Sequence, residues 1–131
     1  MRIYISGKMT ACQDHNRPAF DAAAKRLRAH GHFVINPVEL SELFGAPEEI
    51  TEAFIEMYHY ENTLGVGATF SPQIERKVRL ARSIMSADLA AVRSCDAIYL
   101  LRGWETSRGA KRELAEAIAH GLTVMQEGDA E

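Results

Sequence analysis

The run Asp96–Leu101, DAIYLL, is apolar nearly throughout, and a polar loop, a helical-period segment and a second β-rich run, LTVMQ, follow it directly. A strand that does not alternate polar with apolar residues has no face to give to water, so it must be covered on both sides. The same order occurs at the other end of the chain. RIYIS (Arg2–Ser6) breaks at Gly7, and from Asn16 the residues Phe20, Ala23, Ala24 and Leu27 form one helical stripe that stops at Gly31. HFVIN (His32–Asn36) then ends at Pro37, which restricts Asn36 to extended geometry. Strands separated by helices in this way build a parallel sheet through right-handed crossovers. The expected fold is α/β: a flavodoxin- or Rossmann-like parallel sheet of about four or five strands with flanking helices.

The middle of the chain, from Ser41 to about Phe70, is less regular. TEAFIEMYHYENT (Thr51–Thr63) has helical spacing with Phe54, Met57 and Tyr58 inward, LGVGATF (Leu64–Phe70) reads as a glycine-bearing loop, and Ser71-Pro72 opens a further helix. In that helix Ile74, Val78, Ala81, Met85, Asp88 and Val92 fall at core spacing. A carboxylate in a core stripe is expensive unless it is paired or hydrogen-bonded. Asp88 therefore either faces a site, or Ser86 or Asp88 caps a second short helix after a break. The two are compatible if that helix start opens onto the site. No repeat, low-complexity tract or linker interrupts the 131 residues, which form a single domain.

A net charge of −3 with mixed signs argues against a nucleic-acid partner. The N-terminal apolar run is too short for a signal peptide, and no apolar span approaches the ~18 residues of a membrane helix, so the expectation is a cytoplasmic protein without membrane contact. The two cysteines, Cys12 and Cys95, lack metal-ligand spacing, and Cys95 is expected as a buried, reduced thiol. The histidines His15, His30, His32, His59 and His120 show no ligand pattern either; His30 and His120 stand at helix ends beside glycines. Neither a metal nor an organic cofactor is expected.

Ligands of open parallel sheets bind beyond the carboxyl ends of the strands. The loops there are SGKMT after the first strand, NPVEL after the second and RGWETSRG after the third. The first and third carry hydroxyls, glycines and cations ahead of helices, which suits an anion such as phosphate, or else they are tight turns of small residues. Neither is a dinucleotide or nucleoside triphosphate loop. They supply the candidate binding residues Ser6, Gly7, Lys8, Met9, Trp104, Ser107, Arg108 and Gly109. Trp104 is placed for base stacking or for plain packing.

Glu113 stands in the last helix between Ala110 and Ala117, where small neighbours leave room around a carboxylate. From Asp88 to the turn at Cys95 a helix descends about 10 Å. The strand Asp96–Leu101 climbs about 16 Å. A helix opening near Ser107 brings Glu113 back down about 9 Å. The two carboxylates thus lie at one level on neighbouring helices, whereas Asp96 begins its strand at the opposite edge and is structural.

YISGKMT, Asn16, Phe20, Gly31, INP and CDAIYLLRGWETSRGAKRELAEAIAHG resemble a family of small bacterial and phage proteins grouped with the nucleoside 2-deoxyribosyltransferase-like superfamily. The likeness covers both ends of the chain. The segment near 41–70 looks like an insertion, and Lys8 stands where a proline is usual. Characterised members are nucleoside deoxyribosyltransferases and nucleoside 5′-monophosphate N-glycosidases. The glycosidases carry an Asp-Leu pair before the strand and Ser-x-Gly-x-x-x-Glu after it, matched here by Asp88-Leu89 and by Ser107, Gly109 and Glu113.

The resemblance implies Glu113 as nucleophile and Asp88 as an acid that assists by protonating the departing base or by orienting the sugar, with a nucleotide or nucleoside as small-molecule partner. Such chemistry runs through an oxocarbenium-like transition state and a glycosyl-enzyme ester. Transferases acting on free nucleosides commonly have Asp where Ser107 stands; a serine at a helix start, near Arg102 and Arg108, favours a 5′-phosphate instead. The resemblance further implies a homodimer or larger oligomer. The expected function is N-glycosidic hydrolysis of a nucleoside 5′-monophosphate, or the related deoxyribosyl transfer. The alternative is a non-catalytic nucleotide-binding module, which would need Ser107 and the loops but not the two acids together.

Overall fold

The computed structural model describes residues 1–9, 16–63 and 71–129; Cys12, His15 and the Leu64–Phe70 loop lie outside them. Four strands, β1 (Arg2–Ser6), β2 (Phe33–Ile35), β3 (Ala97–Leu100) and β4 (Thr123–Gln126), form one sheet in the order β2-β1-β3-β4. Every pairing is parallel, with Ile3 opposite both Val34 and Ala97, and Ala97 opposite Thr123. The chain leaves β1 for one edge and returns through β3 toward the other. The carboxyl ends of β1 and β3 are therefore the switch point at which α/β sheets bind ligands.

Alternation along β1 divides its side chains between two cores. Ile3 and Ile5 join Ala97 and Tyr99 beneath α1 (Arg17–Ala29), which contributes the buried Phe20, Ala23, Ala24 and Leu27. Tyr4 joins Ile98 and Leu100 on the other face, where Val92 of α4 (Pro72–Arg93) and Ala117 of α5 (Arg108–Ala119) cover them. Ser6 has the same parity as Tyr4, so its hydroxyl is delivered to the α4–α5 side.

The middle of the chain departs from expectation. Two helices fill it, α2 (Pro37–Ser41) and α3 (Pro47–Thr63). Asn36 accepts a hydrogen bond from the Val38 amide and starts α2, so Pro37 opens a helix as well as ending a strand. α3 begins at Pro47 rather than Thr51, because Pro suits the first position and Glu48 and Glu49 favour the positive helix end. Ala53 and Met57 of α3 pack with Val78 and Ala81 of α4 in a third cluster, against which Phe54 and Tyr58 are half-buried.

α4 is continuous through Ser86 and Asp88, which rules out the helix break and the capping role considered for these residues. Ser71 caps it at the start, accepting from the Ile74 amide. Ile84 takes the fully buried position at this level, while Met85 is half-buried beside it. Cys95 is a free, buried thiol at the turn into β3. Among the described residues no helix is long and apolar enough to cross a membrane.

At the end of β1 the backbone leaves no room for a side chain. A Cβ on Gly7 would lie 2.9 Å from the Leu101 Cβ, in a region tied by the Leu101 amide donating to the Ser6 carbonyl at 2.8 Å. Gly7→Ala should therefore destabilise the fold by about 1–3 kcal/mol through overpacking, read as a lower midpoint in urea unfolding. An unchanged midpoint would mean that β1 and β3 separate here at no cost.

Candidate active site

A cavity of about 100 Å³ opens at the switch point. Gly7 and Met9 of the loop after β1 line it together with Asp88 of α4, Ser107 at the start of α5, and Gly109 and Glu113 within α5. The opposite wall comes from α2 and α3, including Val38, Ile50, Phe54 and Tyr58. Arg17 and Arg112 complete the lining as its cations.

Glu113 is held on both oxygens. The Tyr4 hydroxyl donates to Oε2 at 2.6 Å and the Ser6 hydroxyl donates to Oε1 at 2.7 Å. Both donors are fully buried. Burial pushes the Glu113 carboxyl up from its ordinary range, and the two hydroxyls pull it partly back by stabilising the anion. Tyr4 is itself pushed well above the ordinary phenol range by burial and by the Glu113 charge, so it remains a donor.

Asp88 has no such support. Its Oδ1 is buried without a hydrogen-bond partner among the described residues. Burial, and then the Glu113 charge, push its carboxyl far up. The neighbouring acids are thus driven apart: Glu113 ionises first, and Asp88 keeps its proton into the neutral range. Between the two titrations one site holds a fixed carboxylate and a carboxylic acid, the complement needed for nucleophilic attack assisted by proton donation.

The remaining candidates divide. Ser107 lies on the cavity and caps α5, its oxygen accepting from the Ala110 amide at 3.1 Å, an arrangement that leaves the hydroxyl proton for a ligand. Gly7, Met9 and Gly109 also line it. Ser6 does not, because its hydroxyl is fully buried behind Glu113; it serves the carboxylate rather than a substrate. Lys8 lies outside the lining and offers its carbonyl to Asn16 at 2.9 Å. Trp104 packs against the Tyr4–Ile98–Leu100 core with its Nε1 buried and without a hydrogen-bond partner among the described residues. Arg108 is exposed, its guanidinium 5.2 Å from the Tyr58 ring centre.

Arg102 is turned away from Ser107 toward Glu127, 3.9 Å distant, on a separate surface cleft shared with Arg26 and Asp129. Asp96 accepts from the Arg2 amide at 2.8 Å, at the amino edge of the sheet. His30 bonds the Arg26 carbonyl and His120 pairs with Glu116, both at helix ends. No cluster of three metal-ligating side chains occurs among the described residues.

Sequence reasoning missed Tyr4, Arg17 and Arg112, and it read Tyr58 only as core. The signal for Tyr4 was present in RIYIS. Arg2, Tyr4 and Ser6 alternate with isoleucines, which marks one face of an otherwise apolar strand as polar.

The chain belongs to a family described as a domain of unknown function, DUF4406, whose model matches residues 1–64 and 42–126. No curated protein and no solved structure matches it significantly.

The raised carboxyls have a consequence for stability. Above pH ~4 the unfolded chain has released carboxyl protons that the folded site still holds. The folded state therefore binds more protons, and stability falls as pH rises toward the elevated folded values. Asp88→Asn removes the ionisable group and should gain at least about 1 kcal/mol over wild type at pH 8 but little at pH 4. Thermal unfolding at both pH values checks this; an equal gain at both, or none at pH 8, would refute the protonated-acid assignment.

Proposed function

We propose that this chain is a nucleoside 5′-monophosphate N-glycosidase of the nucleoside 2-deoxyribosyltransferase-like superfamily, with deoxyribosyl transfer as the closest variant. The observation that carries the reading is the pair of buried hydroxyls fixing Glu113 beside a protonated Asp88 in one cavity. Retaining glycosidic chemistry uses two carboxyl groups in these unequal protonation states.

In this reading Glu113 attacks the anomeric carbon of the sugar as the bond to the base breaks, forming a glycosyl ester. Asp88 donates its proton to the departing base and so becomes the carboxylate. Water then attacks the ester, Asp88 takes the water's proton, and Glu113 leaves as the carboxylate; a second base in place of water gives transfer. The grip of Tyr4 and Ser6 keeps the nucleophile at one position through both steps, so little reorganisation is needed at the moment of reaction. In this reading Ser107 and the amino end of α5 take the 5′-phosphate, because a helix start favours negative charge. An assembly of at least two copies goes with the reading, and the exposed Ile118 and Val124 offer apolar surface for it.

The test is a panel of ribo- and deoxyribonucleoside 5′-monophosphates, with free base followed by chromatography. Wild type should release base from at least one of them. Glu113→Gln should fold normally yet lose about 10³-fold or more in rate. The pH profile should be a bell, with Glu113 setting the acid limb above the ordinary carboxylate range and Asp88 the alkaline limb. Full activity in Glu113→Gln would end the nucleophile assignment, and no release by wild type from any monophosphate would favour the non-catalytic binding module.

Ser107 offers a separate check. Ser107→Asp sets a carboxylate against the phosphate, a repulsion of about 4 kcal/mol at 4 Å in an effective dielectric of 20 before screening. Binding of the monophosphate should weaken at least tenfold more than that of the matching nucleoside, measured by calorimetry. Equal losses for both ligands would move the phosphate elsewhere.

A further inference from the structure

The two edges of the sheet are finished differently. At the β2 edge the Phe33 amide bonds inward to the Met1 carbonyl, so the next residue, Val34, turns its peptide groups outward. The Val34 carbonyl is occupied there, because Arg28 donates to it at 3.0 Å and is itself held by Glu39. At the β4 edge the Thr123 and Glu127 amides bond inward to the carbonyls of Asp96 and Leu100, which turns the peptide groups of Val124 and Gln126 outward. Asp129 closes both groups of Gln126: its carboxylate accepts from the Gln126 amide, and its amide donates to the Gln126 carbonyl. The Val124 N–H and C=O have no partner among the described residues.

The helix beside this edge is apolar where a surface helix is expected to be polar. Glu116 of α5 faces α4, pairing with Arg93 at 3.5 Å. Two residues on, about 200° round the helix, Ile118 stands on the flank away from α4 and is 62% exposed. Leu114, one turn back, and the exposed Ala115 share that flank. Val124, 42% exposed, lies level with Ile98 and so points to the α5 side of the sheet. An apolar helix flank thus adjoins an unpaired strand edge that carries neither charge nor proline to guard it.

We propose that this surface binds a second copy of the chain about a two-fold axis beside Val124, joining the two sheets edge to edge. An antiparallel copy of β4 presents the same residue at the axis. Each Val124 amide then donates to the other Val124 carbonyl, which satisfies both open groups at once. A foreign extended peptide gains little more than these two bonds, because Gln126 is closed by Asp129 and the Leu122 amide by the Ala117 carbonyl. It would also leave α5 bare. A second copy brings its own α5 antiparallel to the first and covers the Leu114–Ile118 flank with the same apolar residues. Lys111, at the start of that flank, comes level with the carboxyl end of the other α5, whose last carbonyls favour a cation. The contact uses the side of α5 away from α4, so each cavity stays within one copy, and the inference is independent of the glycosidase reading.

Sedimentation velocity of the wild type at micromolar concentration should give twice the mass of one chain. Ile118→Lys should weaken association at least about tenfold, because it sets two like charges in the contact. Val124→Pro should act in the same direction by deleting the outward donor, a change that edge strands tolerate. Residues paired across such an axis stand about 5.5 Å apart at Cα, within reach of a disulfide. In a Cys12→Ser background, Val124→Cys should therefore link to its own copy under mild oxidation, whereas Lys25→Cys, exposed on α1, should not. A wild type that stays monomeric would overturn the inference. So would a dimer that neither Ile118→Lys nor Val124→Pro weakens and that Val124→Cys fails to link. Base release enters none of these measurements, so their failure leaves the glycosidase reading as it stands.

Discussion

β1 is hydrogen-bonded to a strand on each edge, and this double pairing governs the whole molecule. A central strand has no solvent-facing side, so each of its side chains must enter one core or the other. Two isoleucines settle beneath α1. Tyr4 and Ser6 point the other way, toward helices that bring a glutamate to meet them. The Glu113 carboxylate can lose its water there only because two hydroxyls replace that water. Had β1 been an edge strand, its polar face could have turned outward and the acid would have stayed solvated.

The two acids share a cavity but not an environment. Glu113 exchanges hydration for two strong hydrogen bonds, while one oxygen of Asp88 is buried without a partner among the described residues. Such a group lowers stability in the folded state and survives only where the rest of the fold can carry the loss. Apolar burial does this here, with Phe20, Tyr99, Leu27 and Ile98 entirely enclosed. The unpartnered oxygen belongs to a residue that lines the cavity at the switch point.

The succession of strands and helices along the chain and the α/β class were legible because unbroken apolar runs and helical stripes leave few alternatives for packing. The level of Asp88 with Glu113 was legible too, since rise per residue is fixed by helix and strand geometry. What escaped was set by tertiary neighbours. Ser6 read as a loop hydroxyl for ligands, but the register of β1 turns it inward behind Glu113. Arg102 read as a phosphate cation, yet the Glu127 carboxylate after β4 draws it away. Trp104 was open between stacking and packing, and the apolar face of β3 decided for packing. No local pattern records such partners, because they lie a whole crossover away in sequence.

α4 joins two cores that otherwise have little to do with each other. Its first half is locked to α3 through Val78 and Ala81, whereas Val92 near its far end is anchored in the sheet. Asp88 sits between these holds, about 15 Å along the helix from Val78. Asp88 thus stands on a helix held at both ends, whereas Glu113 stands on α5 and is clamped by β1. The spacing between the two carboxyls is therefore set by how α4 packs on α3 and on the sheet, well away from the residues that grip Glu113.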